Sequence, residues 1–226
     1  MANSGPGRIY VLAGANGAGK SSLAGEAFRN AGVASFDPDR AARRIRAARP
    51  DLSQTEANSI AWQHGRRLLE AAIVGQLDFA LETTLGGETM TALLERAARA
   101  GLEVRVWFAG LATPELHIER VRRRVARGGH DIPEGDIRRR FDGSRVNLVR
   151  LLPKLVELRV YDNSTEGDPH FGGTPAPMLV LHVRHHAIVA PAHLEATPAW
   201  AKPIVAAALR MAGAPMRAMS YEAPEH

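Results

Sequence analysis

The chain has 226 residues, 45% apolar and 23% charged, with a formal charge of +5. That suffices for one globular domain with a full core, and the lack of any apolar run of about 18 residues argues against a membrane-spanning helix. Cysteine is absent, which excludes disulfide and thiolate chemistry and suits the cytoplasm, and the first residues carry no cleavable signal pattern.

Residues 1–7 read as a loose lead-in, and 8–13 (RIYVLA) as a buried strand bounded by Gly14. A helix is expected from 20 to about 30, stopped by Gly32. A second strand over 33–36 ends at Asp37-Pro38-Asp39, and an arginine-rich helix follows over 39–49. Ser53 and Glu56 form a capping box for a helix to about Gly75, with Ala57, Ile60, Ala61, His64, Leu68, Ala71 and Ala72 at helical spacing. A third strand over 79–81 ends at Glu82-Thr83-Thr84, a helix spans about 88–100, and a fourth strand covers 104–108. Thr113 caps and Pro114 opens a helix to Arg127. Asp131-Ile132-Pro133-Glu134 opens another, to about Leu152. A fifth strand over 158–161 ends at Asp162-Asn163-Ser164, and 164–177 read as a loop. Residues 178–183 and 187–190 pair as a small hairpin, and Thr197-Pro198 starts a last helix to about Met211.

Alternating helices and short apolar strands predict an α/β fold with a mostly parallel sheet between two helical layers. Ligands of such sheets bind at the carboxyl ends of the strands, where the polar clusters at 14–22, 37–39, 82–84, 110–113 and 162–164 all fall. Residues 1–226 read as one domain, with a helical lid over about 115–150 and a C-terminal appendage over about 176–212.

Gly14, Ala15, Asn16, Gly17, Ala18, Gly19, Lys20 and Ser21 match G-x-x-x-x-G-K-[ST] at every fixed position, with Ser22 next. Glycines turn backbone N–H groups inward around phosphates, Lys20 reaches the β- and γ-phosphates, and the Ser21 hydroxyl suits Mg²⁺. ATP is expected rather than GTP, because no Asn-Lys-x-Asp guanine motif occurs. No run of four apolar residues precedes a carboxylate pair, as it does in motor ATPases, and this tilts the reading toward a kinase of a small acceptor. Such a kinase needs a carboxylate beside the acceptor hydroxyl. Asp39 is the expected base, and one of Asp37 and Asp39 caps the following helix. Glu82, Thr83 and Thr84 suit a polyhydroxylated acceptor or a Mg²⁺ water shell, with Thr84 also a candidate helix cap.

Lys20, Lys154 and Lys202 are the only lysines, so the positive charge is arginine, clustered between Arg120 and Arg150. Arg120, Arg124 and Arg127 share one helix face, and Arg138, Arg139 and Arg140 follow a Gly128-Gly129-His130 break. Two basic helices on a glycine hinge suit a lid whose arginines neutralise a transferring phosphoryl group. At least half of these arginines are expected to be solvated or paired with Glu119, Glu134 and Asp136. Nucleic acid is disfavoured, because aromatics are not interleaved. His182, His185 and His186 are expected on a strand surface and not around a metal. Trp62, Trp107 and Trp200 are expected in packing roles, and Asn163 near the adenine.

GANGAGKSS, the DPD after the second strand, LETTL after the third, GL-x-x-PELHIERV, RGGHDIP, IRRRF and VYDNS together resemble the zeta-toxin-like P-loop kinases, over about residues 8–190. The resemblance implies an ATP-dependent kinase. Well-described relatives phosphorylate the 3′-hydroxyl of the sugar of UDP-N-acetylglucosamine and are held inactive by a small antitoxin. By that likeness Lys20 binds phosphate, Asp39 is the base, Glu82 and Thr83 line the acceptor site, and two lid arginines, taken as Arg124 and Arg140, stabilise the transferring group. Arg120 and Asn163 are expected on ATP, and Thr84, Arg127 and His130 on the acceptor. The longer substrate-binding region of the larger toxins is missing. The alternatives are a kinase of another small alcohol, such as an antibiotic, and an ATP-dependent switch or nucleic-acid binder.

Overall fold

The computed structural model of the protein describes residues 5–28, 32, 34–165 and 176–213. The strands are β1 (Arg8–Ala13), β2 (Ser35–Phe36), β3 (Phe79–Thr83), β4 (Glu103–Gly110), β5 (Glu157–Asp162), β6 (Met178–Arg184) and β7 (Ala187–Ala190). They form one sheet in the order β2-β3-β1-β4-β5-β6-β7. The first five are parallel, β6 is antiparallel to β5, and β7 is antiparallel to β6. Ala13 pairs with Thr83 on one side and Phe108 on the other. This register brings Gly14, the Glu82–Thr84 corner and Gly110 to one edge of the sheet.

Side chains alternate across the pleat, so β1 feeds two cores. Ile9, Val11 and Ala13 join Leu81, Val106, Phe108 and Val160 beneath the helices α3 (Gln54–Gly75), α4 (Glu88–Arg99), α6 (Glu134–Leu151) and α7 (Lys202–Met211). Tyr10 and Leu12 join Trp107, Ala109 and Tyr161 on the other face, with Leu23 and Ala27 of the segment leading through α1 (Ala24–Phe28). The remaining helices, α2 (Pro38–Ala48) and α5 (Pro114–Ala126), follow β2 and β4 and pack on α3 and α6 respectively.

Several expectations are revised. The helix expected from Lys20 begins as a 3₁₀ turn, Lys20–Ser22, before α1, and 29–31 lie outside the described residues. The Ser53–Glu56 capping box forms, but the buried stripe of α3 is Ala57, Ala61, Gly65, Leu69, Ala72 and Ile73. Ile60, His64 and Ala71 are exposed, because α3 packs against α2 and the sheet along one narrow line of small residues. The helix α4 is entered through Gly87 and not through a Thr84 cap. The C-terminal hairpin is the continuation of the main sheet through β5–β6 pairing. His185 and His186 have φ of 46° and 65° and make its turn, so they are not strand residues. His182 is on β6, with Nε2 2.9 Å from Glu157 Oε1, and no metal-binding cluster occurs among the described residues. Most of the expected 164–177 loop falls outside the described residues.

Candidate active site at the phosphate loop

The loop after β1 is folded from within and clamped from outside. Gly17 has φ of 82°, a conformation that favours glycine, and a Cβ there would lie 2.6 Å from His117 O. Lys20 Nζ donates to Gly14 O at 3.0 Å, spanning the loop, and Ser22 Oγ donates to Gly19 O at 2.7 Å. Three side chains from later in the chain hold this turn. Asn163 Nδ2 donates to Ala18 O at 2.9 Å and packs against Gly19. His117 on α5, 1% exposed, bonds from Nδ1 to Asn16 O at 2.7 Å, so Nδ1 carries the proton. Arg140 on α6 donates from Nη1 to Asn16 Oδ1 at 2.7 Å.

Two clefts meet at this loop. The larger, about 1370 Å³, is lined by Gly19, Ser21, Ser22, Asn163 and six arginines, with no carboxylate: Arg43, Arg46, Arg120, Arg123, Arg124 and Arg127. The second, about 600 Å³, is lined by Lys20 and Arg140 but also by Asp37, Asp39, Glu82, Asp131 and Asp136. His130 and Gln54 belong to both walls. The basic cleft fits a polyphosphate. The acidic one has carboxylates to hold and deprotonate hydroxyls. The basic cleft has no Trp, Tyr or Phe among its lining residues, which suits a compact polyphosphate better than a nucleic-acid strand.

Asp39 sits on the seam. Asp37 caps α2, its Oδ1 accepting from Asp39 N at 2.9 Å and Arg40 N at 3.1 Å, with Pro38 in the first turn. Asp37 is therefore the cap, and the Asp39 carboxylate is left to face Arg124 Nη1 at 3.8 Å and His130 Nε2 at 3.9 Å. Arg124 is itself gripped by the glycine break, donating from Nη2 to His130 O at 3.0 Å. Its Nε is buried with no hydrogen-bond partner among the described residues. Burial lowers the Lys20 pKa against the pull of Glu82 and Asp39, and burial raises that of Glu82 against Lys20. An anion beside Lys20 would stabilise its charge.

The expected site residues divide between the clefts. Lys20, Asp39, Glu82, Thr83, Thr84 and Arg140 line the acidic cleft, and Ser21, Ser22, Arg120, Arg124, Arg127 and Asn163 the basic one. Arg127, expected on the acceptor, thus stands on the polyphosphate side. Thr83 Oγ1 and Thr84 Oγ1 accept from Leu85 N and Gly86 N, so the two hydroxyls also shape their own turn. Arg122 pairs with Glu134, Arg123 with Glu119 and Arg139 with Asp136, the expected acids, and Arg138 pairs with Glu115, which was not among them. Residues not singled out beforehand are His117, whose signal was a histidine on the inner face of an amphipathic helix, and Asn147, buried on α6 and bonded to Leu85 O. The donor set fits a Mg²⁺ ion: this ion takes much of its coordination from phosphates and water, and the Ser21 hydroxyl, on the wall of the basic cleft, would be the chain's own ligand.

A β-strand, glycine loop, lysine and helical turn at the carboxyl edge of a mostly parallel sheet define a P-loop α/β protein. The Zeta toxin family profile matches residues 4–167, and the chain belongs to that family. An uncharacterised protein of Haemophilus influenzae is 30% identical over 138 residues, 59% of this chain and 92% of that protein. Among solved structures, the AvrRxo1-ORF1:ORF2 complex with ATP superposes with a TM-score of 0.62 at 14% identity, covering 97% of this chain and 67% of that one. The same complex with sulphate ions gives 0.57 at 15% identity, and covers 81% of this chain but only 60% of the other. The PezAT toxin–antitoxin system of Streptococcus pneumoniae gives 0.51 at 15% identity, over 78% and 76% of the chains. At these identities the structural likeness establishes the fold alone.

Proposed function

We propose that this chain is an ATP-dependent kinase that phosphorylates a hydroxyl of a small molecule. The observation that carries this is the position of Asp39 in the acidic cleft, where it faces Arg124 of the arginine-rich cleft. The triphosphate lies in the basic cleft with its terminal phosphate at Lys20, and Mg²⁺ bound with it screens its charge. The acceptor lies in the acidic cleft, positioned by Glu82, Thr83 and Thr84. Its oxygen attacks the γ-phosphorus in line, the bond to the β-phosphate oxygen breaks, ADP leaves, and the hydroxyl proton passes to Asp39. Arg124 and Arg140, from two helices acting as a lid, offset charge on the transferring group, and Arg120 and Arg127 hold the nucleotide. The clamp on the loop from both lid helices ties lid position to phosphate binding.

The acceptor favoured by the family is UDP-N-acetylglucosamine or a related UDP-sugar. A second reading, an uncharged or cationic alcohol such as an antibiotic, is favoured by the five carboxylates of the acceptor cleft. By likeness to the PezAT toxin–antitoxin system, an antitoxin is the proposed partner, and the lack of cysteine suits the cytoplasm as the proposed compartment. None of the described helices is long and apolar enough to cross a membrane. Incubation with Mg·ATP and UDP-N-acetylglucosamine, then with cell metabolite extract, tests the proposal by mass spectrometry. One acceptor should gain the mass of one phosphate with the wild type and not with Lys20→Ala. No phosphorylated product from either mixture would reject it.

A further inference from the structure

The α3 wall of the acidic cleft presents Gln54, Asn58 and Trp62, spaced by four residues and hence on one helix face. The polar pair has one consistent orientation. Arg46 Nη1 donates to Gln54 Oε1 at 3.2 Å, and a guanidinium accepts nothing, so the Gln54 oxygen must face it. Gln54 Nε2 then donates to Asn58 Oδ1 at 2.8 Å. The Asn58 NH₂ group is left for whatever enters the cleft.

One turn further along, Trp62 is 40% exposed, whereas Trp107 and Trp200 are 6% and 4% exposed. The packing role expected of Trp62 therefore does not hold. The Arg66 guanidinium lies 6.0 Å from its ring centroid and pairs with Glu70 at 3.4 Å, giving the indole one fixed neighbour. Phe36, Leu81 and Met90 add apolar surface to the same cleft. An indole open to a cleft offers a large, flat, rigid surface at little entropic cost, and the adjacent NH₂ asks for an oxygen acceptor.

We propose that Trp62 and Asn58 form a ring-recognition subsite, which takes a ring bearing an oxygen acceptor at its edge. This deepens the kinase reading and rests on it. The ring stacks on the indole, its oxygen accepts from Asn58 Nδ2, and the hydroxyl to be phosphorylated is presented to Asp39. A nucleobase and an N-acylated pyranose both meet this description, and an open-chain polyol does not.

The test titrates the full-length protein with uridine, N-acetylglucosamine, UDP-N-acetylglucosamine and glycerol while indole emission is followed. Trp62→Phe serves as the blank for the two buried tryptophans. Ring ligands should quench the wild type and not the blank, and glycerol should quench neither. Uridine against N-acetylglucosamine identifies which ring is held. With the ring compound that is phosphorylated, Trp62→Ala should raise acceptor KM about tenfold at unchanged ATP KM, and Trp62→Phe should recover most of the loss. Asn58→Asp, which replaces the donor by an acceptor, should raise KM similarly without lowering the melting temperature. Unchanged emission with all three ring compounds, quenching by glycerol equal to theirs, or wild-type KM in Trp62→Ala would overturn the subsite. Failure of the kinase reading looks different: ring quenching persists, but no compound receives phosphate.

Discussion

The Arg140 guanidinium bonds to the Asn16 side chain at 2.7 Å, joining α6 to the phosphate loop over a sequence separation of 124. Its other nitrogen, Nη2, lies 3.4 Å from Asp136 Oδ2, one turn back along the helix. The guanidinium is thus held at the loop by one partner on the loop and one on its own helix. Arg140→Ala should reduce the single-turnover transfer rate by about 10³-fold or more while ATP binding changes little. Arg140→Lys should recover only part, because an ammonium lacks the planar fork. Equal losses in transfer and in ATP affinity would make Arg140 a binding residue only.

Asp37 and Asp39 stand two residues apart and make opposite predictions. Asp37 satisfies two N–H groups at the start of α2, so Asp37→Ala should cost about 1 kcal/mol of stability, read by urea unfolding. Asp39 makes no capping bond and faces Arg124 and His130 across the seam. Asp39→Asn should keep ATP binding and stability and lose phosphoryl transfer. Transfer at the wild-type rate in Asp39→Asn would remove the carboxylate from the mechanism.

Much of this was legible in the sequence, because short-range chemistry fixes it. The glycine loop, the Thr113 and Ser53 caps, Pro114 at a helix start, and the succession of strands and helices along the chain all follow from local propensities and spacing. The placing of Asp39 at the carboxyl edge follows as well, since it stands just past a strand of the parallel sheet; the expectation that this strand lies next to β1 does not hold, because β3 pairs between them. What could not be read depends on contacts between distant segments. Arg140 and His117 meet at Asn16 from two different helices, and no local pattern reports that. The buried stripe of α3 departs from the spacing because small residues, Ala57, Ala61 and Gly65, allow close approach, while the larger Ile60 lies on the solvent side. Trp62 departs from expectation for a related reason: a tryptophan on an amphipathic helix has the pattern of core, and here the neighbouring elements leave it at a cleft.

His117 gives a pH prediction. Burial lowers its pKa from 6.5 to about 4, with the Asn16 carbonyl opposing the shift. The unfolded chain therefore takes up this proton first as pH falls. The stability from the neutral ring is complete above pH 6.5 and is lost between 6.5 and 4, by at most about 3 kcal/mol. Glu95, held at about 2 by its bonds with Arg150 and Lys154, loses its contribution only below 4.5, while Glu82, whose pKa burial raises, acts with the opposite sign and equally in the wild type and the His117 variant. His130 and His182 are also lowered by burial and act with the same sign, but both are partly exposed. Urea unfolding at pH 7.0 and pH 5.0 should show a marked stability loss in the wild type and a much smaller one in His117→Gln, which keeps a donor for Asn16. Equal pH dependence in the two proteins would place the titration elsewhere.

The turn that carries Thr83 and Thr84 is strained, and Asn147 holds it. Leu85 has φ of 54°, a conformation that costs a non-glycine residue of order 1 kcal/mol, yet it is fully buried. Asn147 Nδ2 donates to Leu85 O at 2.9 Å inside the protein, and Thr83 Oγ1 accepts from Leu85 N at 3.0 Å. The side chain anchors the turn in the core while two hydrogen bonds fix its backbone, so the Thr83–Thr84 corner is set by α6, the same helix that bears Arg140. Asn147→Ala leaves a buried carbonyl without its partner and should cost about 1–3 kcal/mol in urea unfolding. It should also raise acceptor KM more than ATP KM, because the Thr83–Thr84 corner loses its register while the phosphate loop keeps His117, Asn163 and Arg140. If both KM values rise together, Asn147 supports the sheet edge as a whole and not the acceptor corner in particular.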